Sequence, residues 1–370
     1  MKRIISVMLI AIMITALAAG CDNSQSDQTQ PSPTPTPPPV SPSPTPSANG
    51  STDPDSTDPD PGPDTGTPTG PIMISAAELS AIINDDNVIL IGAINPTAAL
   101  VPFSNASNPV RGSFLVWNDD FYGSCPEALS PNLANSRIPL HDMETLLSKS
   151  GATADSIFVV YASDAQAVGA RVAWHLSLLG LNVRFLDGGV AAWRANNGRT
   201  GSSRRLNDQS VKNDFKAPNY DPSINNASID VVIEALQNPS EWVVIDTRSP
   251  EEYNGDRVSQ SSNAYGTGRM KGAVNINWVR NYNSDELLLP EAELRELYNF
   301  IGDRKVITYC QGGVRSSYAW IVLKDLGFDV RNYDGSWIEW SYAASSFSDY
   351  QNKDVVLSLT ESWSDNNGKI

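Results

Sequence analysis

Two stretches of the chain share one pattern of apolar and polar positions. In the first, an apolar run at 157–161 is followed by a polar loop and an amphipathic segment that ends at Gly180. In the second, an apolar run at 306–309 leads through a glycine-rich loop into an amphipathic segment that ends at Gly327. Short β-branched runs indicate strands, helical periodicity indicates helices, and glycine after the last turn is typical of a helix C-terminus. We therefore predict a strand, a loop and a helix in each stretch.

The repeat extends beyond these stretches. The spacing of Gly180–Asp187 recurs as Gly327–Asp334, and a tryptophan follows each aspartate at the same distance. Upstream, the segments VILIGAINP and VVIDTRSP are both apolar strands that end in a turn. Strands that alternate with helices favour a parallel sheet with helices on both faces. The sequence therefore predicts an α/β protein with two similar domains, each a mostly parallel sheet covered by helices on both faces.

Composition divides the whole chain into segments. They are a signal peptide at 1–21, a tether rich in Pro, Ser, Thr and Asp at 22–71, a first domain at 72–205, a connector at 206–227, a second domain at 228–350 and a tail at 351–370. The tether has almost nothing apolar to bury, so we expect it to be extended and disordered. The tail contains VVLSLT, which has the composition of a strand.

The first residues have the pattern of a targeting segment. Lys2 and Arg3 precede an apolar run at 4–16, and small residues then lead to Gly20 and Cys21. This ending resembles a bacterial lipobox, which implies lipidation of Cys21 and a lipid-anchored protein in the cell envelope that faces the periplasm or the cell exterior. An ordinary secretory signal with an incidental cysteine is the alternative. A membrane-spanning helix is a third, although the run is shorter than the roughly 20 residues that a bilayer requires.

The charge and the cysteine count exclude several classes of function. The formal net charge of −16 argues against nucleic acid as a partner and means that an anionic substrate needs a local positive pocket. Three cysteines are too few for a disulfide framework, and neither their spacing nor the two histidines suggest a metal site. No dinucleotide-binding fingerprint is present. We therefore expect neither a metal nor a cofactor.

The chemistry is concentrated in one loop. An apolar strand leads into Cys310, Gly312 and Gly313 permit a tight turn, and a helix is predicted to begin around Ser316. Successive loop N–H groups and a helix N-terminus favour a thiolate, which is the nucleophilic form of cysteine. Arg315 adds a positive charge suited to an anionic group. We predict a nucleophilic Cys310 in an anion-binding loop; a buried, inert cysteine and a structural or solvent-exposed Arg315 are the alternatives.

The loop CQGGVRS resembles the active-site loop of the rhodanese family, the thiosulfate and mercaptopyruvate sulfurtransferases. It comprises Cys310, Gln311, Gly312, Gly313, Val314, Arg315 and Ser316. The segments VVIDTRSPEEYNG, GRMKGAVNI and YDGSWIEW are similar to further motifs of the family. The resemblance implies a tandem fold with the site at the face between the domains. It also implies that a Cys310 persulfide, held by loop amides, carries sulfur from a donor to a thiophilic acceptor such as cyanide or a thiol.

The first half lacks the same chemistry. Ala162 stands where the second half has Cys310, so we interpret the first domain as the non-catalytic partner. Asp246 and Arg248 lie at the end of the first strand of the second half, and we expect them to form a supporting ion pair, with contact to the substrate as the alternative. Cys125 is interpreted as a free thiol, with a redox partner of Cys310 as the alternative.

Four residues of the closing motif receive no catalytic role. We interpret Asp334, Trp337 and Trp340 as packing and turn residues, and we expect Glu339 to lie on a solvated helix face.

Several functions stay open at this point. Phosphatase loops resemble C-x5-R, which is one residue longer than the C-x4-R spacing from Cys310 to Arg315, so a phosphatase is disfavoured. Gln311 and Arg315 favour thiosulfate over mercaptopyruvate as the donor. However, the family's vertebrate-type thiosulfate enzymes have basic residues where this chain has Gly312 and Glu252, which puts the substrate contacts in doubt. A persulfide carrier or sulfide-binding module that serves an envelope protein is the alternative of a different class.

Overall fold

The computed structural model describes residues 70–94, 108–123, 129, 136–163, 165–256, 264–346 and 353–363, all within the unit formed by residues 61–370. The predicted signal peptide with Cys21, Cys125, and the predicted tether except for its last two residues lie outside the described residues. Across the described ranges, no helix combines the length and the apolar character that crossing a bilayer requires.

The first half alternates strands and helices. In chain order these are β1 (Met73–Ile74), α1 (Ala76–Ile82), β2 (Val88–Ala93), β3 (Phe114–Val116), α2 (Asn118–Phe121), β4 (Tyr122–Gly123), β5 (Ser136–Arg137), α3 (Leu140–Ser148), β6 (Ile157–Ala162), α4 (Gln166–Ser177), β7 (Asn182–Leu186), α5 (Gly189–Ala195) and β8 (Arg204–Arg205). Within the described residues, six strands form one sheet in the order β1-β7-β6-β2-β3-β8, and all neighbours are parallel. The central strands β2 and β6 are almost wholly apolar, as expected where helices cover both faces.

The second half repeats the alternation. Its elements are α6 (Pro222–Asn225), β9 (Asn226–Ala227), α7 (Ile229–Gln237), β10 (Trp242–Asp246), α8 (Pro250–Tyr253), β11 (Thr267–Met270), β12 (Val274–Asn275), α9 (Glu291–Leu297), β13 (Lys305–Tyr309), α10 (Val314–Asp325), β14 (Val330–Tyr333), α11 (Ser336–Ser346), α12 (Lys353–Ser358) and β15 (Thr360–Trp363), with 3-10 turns at Trp278–Asn281 and Asn299–Ile301. Five described strands form a second parallel sheet in the order β12-β10-β13-β14-β9. The edge strand β9 consists of the last two residues of the predicted connector 206–227.

The two sheets have the same topology. From the β9 edge, the second sheet runs β9-β14-β13-β10-β12, which matches β1-β7-β6-β2-β3 strand by strand. Tyr161 in β6 and Tyr309 in β13 occupy equivalent positions relative to their neighbouring strands, and Ala162 therefore takes the place of Cys310. The predicted fold class, α/β with mostly parallel sheets and helices on both faces, is confirmed.

The two halves pack against each other through α4 and α10. One cluster of buried apolar side chains runs across both helices and both halves. Tyr318 on α10 meets Phe185 of the first half edge to face, with the ring centroids 6.1 Å apart. At the other end of α10, Asp325 accepts hydrogen bonds from the N–H groups of Ile72 and Met73 at 2.6 and 2.7 Å. The helix that follows the Cys310 loop is thus held along its length by the first half.

The strand predicted in the tail is wrong. Residues 353–358 form the helix α12, and only 360–363 form a strand, β15, which pairs antiparallel with β11. Val356 is fully buried, and α12 packs against α11. Burial of the valine against α11 therefore outweighs the β-propensity of its sequence.

Candidate active site

The Cys310 loop joins a buried strand to a helix. Cys310 follows the last residue of β13, and Gly313 adopts a left-handed conformation with φ of +75° directly before α10. Because Gly313 is the N-cap, the helix begins at Val314, two residues before the predicted start at Ser316. The whole loop is thus only four residues long.

The beginning of α11 fixes this loop from behind. The carbonyls of Cys310 and Gln311 accept hydrogen bonds from the N–H groups of Trp337 and Ile338 at 3.1 and 3.0 Å. The N–H of Cys310 donates to Ser336 Oγ at 3.2 Å. Ser336 itself has φ of +50°, a conformation that is rare outside glycine. The closing motif of the repeat therefore acts as the scaffold of the loop.

The sulfur of Cys310 lies among donors. The residue is 1% exposed and has a free thiol, and Ser316 Oγ lies 3.5 Å from Sγ. The N–H groups of Gly312 and Ser316 also hydrogen-bond to the sulfur. Burial alone would raise the pKa of the Cys310 thiol, but the positive charge of Arg315 and these hydrogen bonds outweigh burial and lower it. The site therefore favours a thiolate.

Arg315 forms a two-pronged ion pair with Glu252. Its Nη1 and Nη2 donate to the two carboxylate oxygens at 2.7 and 3.0 Å. Glu252 is held at the start of α8 by reciprocal hydrogen bonds with Ser249. Burial would raise the pKa of Glu252, but the hydrogen bonds and the charge of Arg315 lower it. One edge of the guanidinium that we expected to bind an anion is thus already occupied by a carboxylate of the protein.

Asp246 and Arg248 form a buried ion pair behind the loop. Arg248 Nη2 lies 2.6 Å from Asp246 Oδ2 and donates to the carbonyl of Gly268 at 2.7 Å. The guanidinium also stacks over the ring of Trp337, 4.9 Å from its centre. Burial would lower the pKa of Arg248, but the charge of Asp246 raises it. Arg248 therefore links β11 to α11, whose first residues hold the loop.

Three charged residues near the loop were not recognised from the sequence as a group. Asp334, interpreted as a turn residue, pairs with Arg171 and Arg137 of the first half, and the Arg137 contact is 3.4 Å. Arg171 also donates to the carbonyl of Gly313 at 3.2 Å. Nothing in the sequence signals this contact, because Arg171 and Asp334 lie 163 positions apart.

The expectation for Glu339 is wrong. Its side chain is buried rather than solvated, and Oε1 accepts a hydrogen bond from the N–H of Leu129 at 2.9 Å. Burial raises the pKa of the Glu339 carboxyl, although the hydrogen bond from Leu129 opposes this effect. A residue of the first half covers this face of α11, which the local sequence pattern could not indicate.

The described residues contain no cluster of three or more His, Cys, Asp or Glu side chains that could hold a metal ion. The groups around Cys310 are hydrogen-bond donors and one guanidinium. They can stabilise a thiolate, a persulfide or a small anion.

Comparison with known proteins gives a consistent picture. The model of the rhodanese-like domain matches residues 230–343. Two curated relatives carry the name "Putative thiosulfate sulfurtransferase". The one from Saccharopolyspora erythraea is 32% identical over 207 residues, which cover 53% of this chain and 71% of the relative. The one from Haloferax volcanii is 34% identical over 219 residues, which cover 54% of this chain and 71% of the relative.

Solved structures share the fold. The anaerobic ergothioneine biosynthesis enzyme from Chlorobium limicola, in complex with trimethyl histidine, superposes with a TM-score of 0.62 at 22% identity over 73% of this chain and 68% of the enzyme. A structure of EanB in which ergothioneine is covalently linked to a cysteine persulfide gives the same values. At this level of identity, the likeness concerns the fold alone.

Proposed function

Because the chain belongs to the rhodanese family of sulfurtransferases, we propose that it moves a sulfane sulfur from thiosulfate to a thiophilic acceptor through a persulfide on Cys310. One observation carries this proposal. Cys310 lies between the end of β13 and the start of α10, with Ser316 Oγ 3.5 Å from its sulfur, and Arg315 and the loop donors lower the pKa of its thiol in spite of full burial. A thiolate is the form that attacks sulfur.

The reaction has two steps that balance. The Cys310 thiolate attacks the outer sulfur of thiosulfate, an S–S bond forms, and the S–S bond of the donor breaks so that sulfite leaves with the electron pair. The acceptor, cyanide or a thiolate, then attacks the terminal sulfur of the persulfide. The Cys310 thiolate leaves with the electron pair and is regenerated. The persulfide carries its negative charge on the terminal sulfur, one S–S bond beyond Sγ, where Arg315 and the loop N–H groups would stabilise it.

The loop residues have separate roles in this proposal. The N–H groups of Gly312 and Ser316 and the hydroxyl of Ser316 hold the sulfur, and Arg315 supplies the positive charge beside it. Gln311 and Gly313 complete the loop, and Val314 is the first residue of α10. Asp246 and Arg248 act as support and do not contact the donor. We assign these roles to a catalytic second domain at 228–350 and regard 72–205 as its non-catalytic partner.

The test measures sulfur loading on the full chain. Wild-type protein is incubated with thiosulfate, its intact mass is recorded, and cyanide is then added. We expect a gain of one sulfur atom that cyanide removes as thiocyanate. Cys310→Ser should gain nothing, whereas Cys125→Ser, the matched control, should load like the wild type.

The other outcomes separate the alternatives. Loading by mercaptopyruvate but not by thiosulfate would identify mercaptopyruvate as the donor. Loading without repeated turnover would favour a persulfide carrier over an enzyme with cyanide or a thiol as its acceptor. Absence of loading from any donor would contradict the proposal.

The location is a second part of the proposal. The Gly20-Cys21 ending of the N-terminal segment supports lipidation of Cys21 and a lipid-anchored protein in the cell envelope that faces the periplasm or the cell exterior. Such an anchor would bring the site close to an acceptor protein of the cell envelope. Labelled fatty acid should be incorporated into the full chain and not into a Cys21→Ser variant. Equal labelling of the two would contradict the anchor.

A further inference from the structure

The carbonyl of Gly313 accepts hydrogen bonds from three side chains. Ser317 Oγ donates at 2.7 Å and Asn332 Nδ2 at 3.1 Å, both from the second half. The third donor is Arg171 Nη1, at 3.2 Å, which belongs to α4 of the first half. All three donor residues are fully buried. A single carbonyl between β13 and α10 is therefore fixed from both halves.

The orientation of this carbonyl determines where the next N–H group points. In a planar trans peptide, the C=O of Gly313 and the N–H of Val314 point in opposite directions. The carbonyl points along α10, so the N–H of Val314 points out of the helix N-terminus, parallel to the N–H of Ser316. The Ser316 N–H contacts the sulfur of Cys310. Because Gly313 is the N-cap, its peptide also sets the start of α10, so a rotation of this peptide would move Arg315 and Ser316, which favour the anionic sulfur.

Arg171 is itself held firmly in place. Nη2 pairs with Asp334, which also accepts from Arg137, and the guanidinium lies over the ring of Trp174, 4.6 Å from its centre. The side chain of Arg171 has no exposed surface. A Cβ atom on Gly313 would lie 2.7 Å from Arg171 Nη1. The glycine thus leaves the space in which the guanidinium approaches the loop.

We infer that Arg171 is a positioning residue, supplied by the half without a nucleophile, which orients the Gly313 peptide and thereby the donors around the Cys310 sulfur. This inference rests on the proposed function, in which Cys310 is the nucleophile. It gives the first half a part in the reaction, although Ala162 stands there in place of the cysteine. Without Arg171, the loop keeps its two donors from the second half but loses the charged one.

The test compares Arg171→Met with the wild type in the full chain. The rate at which iodoacetamide alkylates Cys310 is measured against pH, and peptide mass identifies the alkylated cysteine. We expect the pKa of the Cys310 thiol to rise by about one pH unit in Arg171→Met. We also expect kcat/KM for thiosulfate to fall roughly 10- to 100-fold, as when a reacting group is misplaced. Arg171→Lys keeps the positive charge beside Asp334 but lacks the second nitrogen that donates to the Gly313 carbonyl. Its thiol pKa and kcat/KM should therefore lie between those of the wild type and of Arg171→Met.

Asp325→Asn is the matched control. It alters a contact of a charged residue between the halves at the far end of α10 and does not touch the loop. The pKa of the Cys310 thiol and kcat/KM for thiosulfate should therefore equal those of the wild type. If Arg171→Met does not fold, the double variant Arg171→Met/Asp334→Asn removes the charges of Arg171 and Asp334 together and should still show the raised thiol pKa.

Two results separate the inference from the function on which it rests. A folded Arg171→Met with an unchanged thiol pKa, or Asp325→Asn with the same shift, would overturn the inference. Alkylation requires no sulfur donor. A wild type that takes no sulfur, together with a shifted pKa in Arg171→Met, would therefore refute the sulfurtransferase reaction and retain the positioning role.

Discussion

Arg315 interacts with two anions at once. Its guanidinium makes two hydrogen bonds to Glu252, and its charge lowers the pKa of the Cys310 thiol. The Glu252 side chain is 2% exposed, so it holds the guanidinium in one position. Its negative charge also offsets part of the stabilisation that Arg315 gives to the thiolate. The Arg315–Glu252 ion pair therefore fixes the position of the positive charge and limits how strongly that charge stabilises the thiolate.

Glu252→Gln tests this balance. The amide still offers an oxygen to Arg315, but the negative charge is gone, so the thiolate should become more stable. We expect the midpoint of the alkylation rate of Cys310 against pH to move down by up to about one pH unit. Glu251→Gln, an exposed position on the same helix, should leave the midpoint in place. A midpoint that rises in Glu252→Gln would show that the carboxylate chiefly holds Arg315 in position.

A second buried carboxyl gives a prediction on stability. Burial raises the pKa of Glu339, so its ionised form opposes folding, and its contribution to stability decreases as the pH rises through the raised pKa. Glu339→Gln resembles the protonated form. The variant should unfold at a higher temperature than the wild type at pH 7, and the difference should disappear below about pH 4, where both side chains are neutral. An equal difference at both pH values would contradict the expected titration.

At the scale of the loop and helix, the two adjacent glycines Gly312 and Gly313 differ in how well they would tolerate a side chain. Gly313 has φ of +75°, and a Cβ atom there would lie 2.7 Å from Arg171 Nη1 and 2.8 Å from the carbonyl oxygen of Asp334. Gly312 is not in the left-handed region, and its nearest neighbour would be Ile338 Cδ1 at 3.4 Å. Gly313→Ala should therefore lower the free energy of unfolding by about 2 kcal/mol or more, and Gly312→Ala by less than about 1 kcal/mol. Urea denaturation of the two variants measures both values, and equal losses would contradict this account.

The same loop shows what the sequence could and could not predict. Cys310, the glycines and Arg315 are consecutive or nearly so, and a strand, loop and helix are local structures, so their arrangement follows from a short pattern. Arg171 lies 142 positions before Gly313, and its place within an amphipathic helix gives no indication of a buried partner. Glu339 appeared solvent-exposed for the same reason, since the residue that covers it, Leu129, lies 210 positions away. Contacts between the halves depend on packing that no local pattern contains.

At the scale of the whole molecule, the repeated pattern predicted two similar parallel sheets but not how closely they depend on each other. One cluster of buried apolar residues spans both halves, and it includes Trp174 on α4 and Trp320 on α10. Tyr318 meets Phe185 across the same interface, with interplanar angle 87°. An interface of this kind resembles the interior of a single domain more than a mobile contact between two.

We therefore expect the two halves to unfold together. Scanning calorimetry of the full chain should give one transition whose calorimetric and van't Hoff enthalpies agree. Tyr318→Ala, at the interface, removes a side chain that is 1% exposed, and it should lower the transition temperature and separate the unfolding of the two halves. Leu79→Ala removes a fully buried side chain from a cluster within the first half alone and should lower the temperature of one undivided transition. Two transitions in the wild type would mean that the halves fold independently, and that the contact of Arg171 with the Cys310 loop forms only after each has folded.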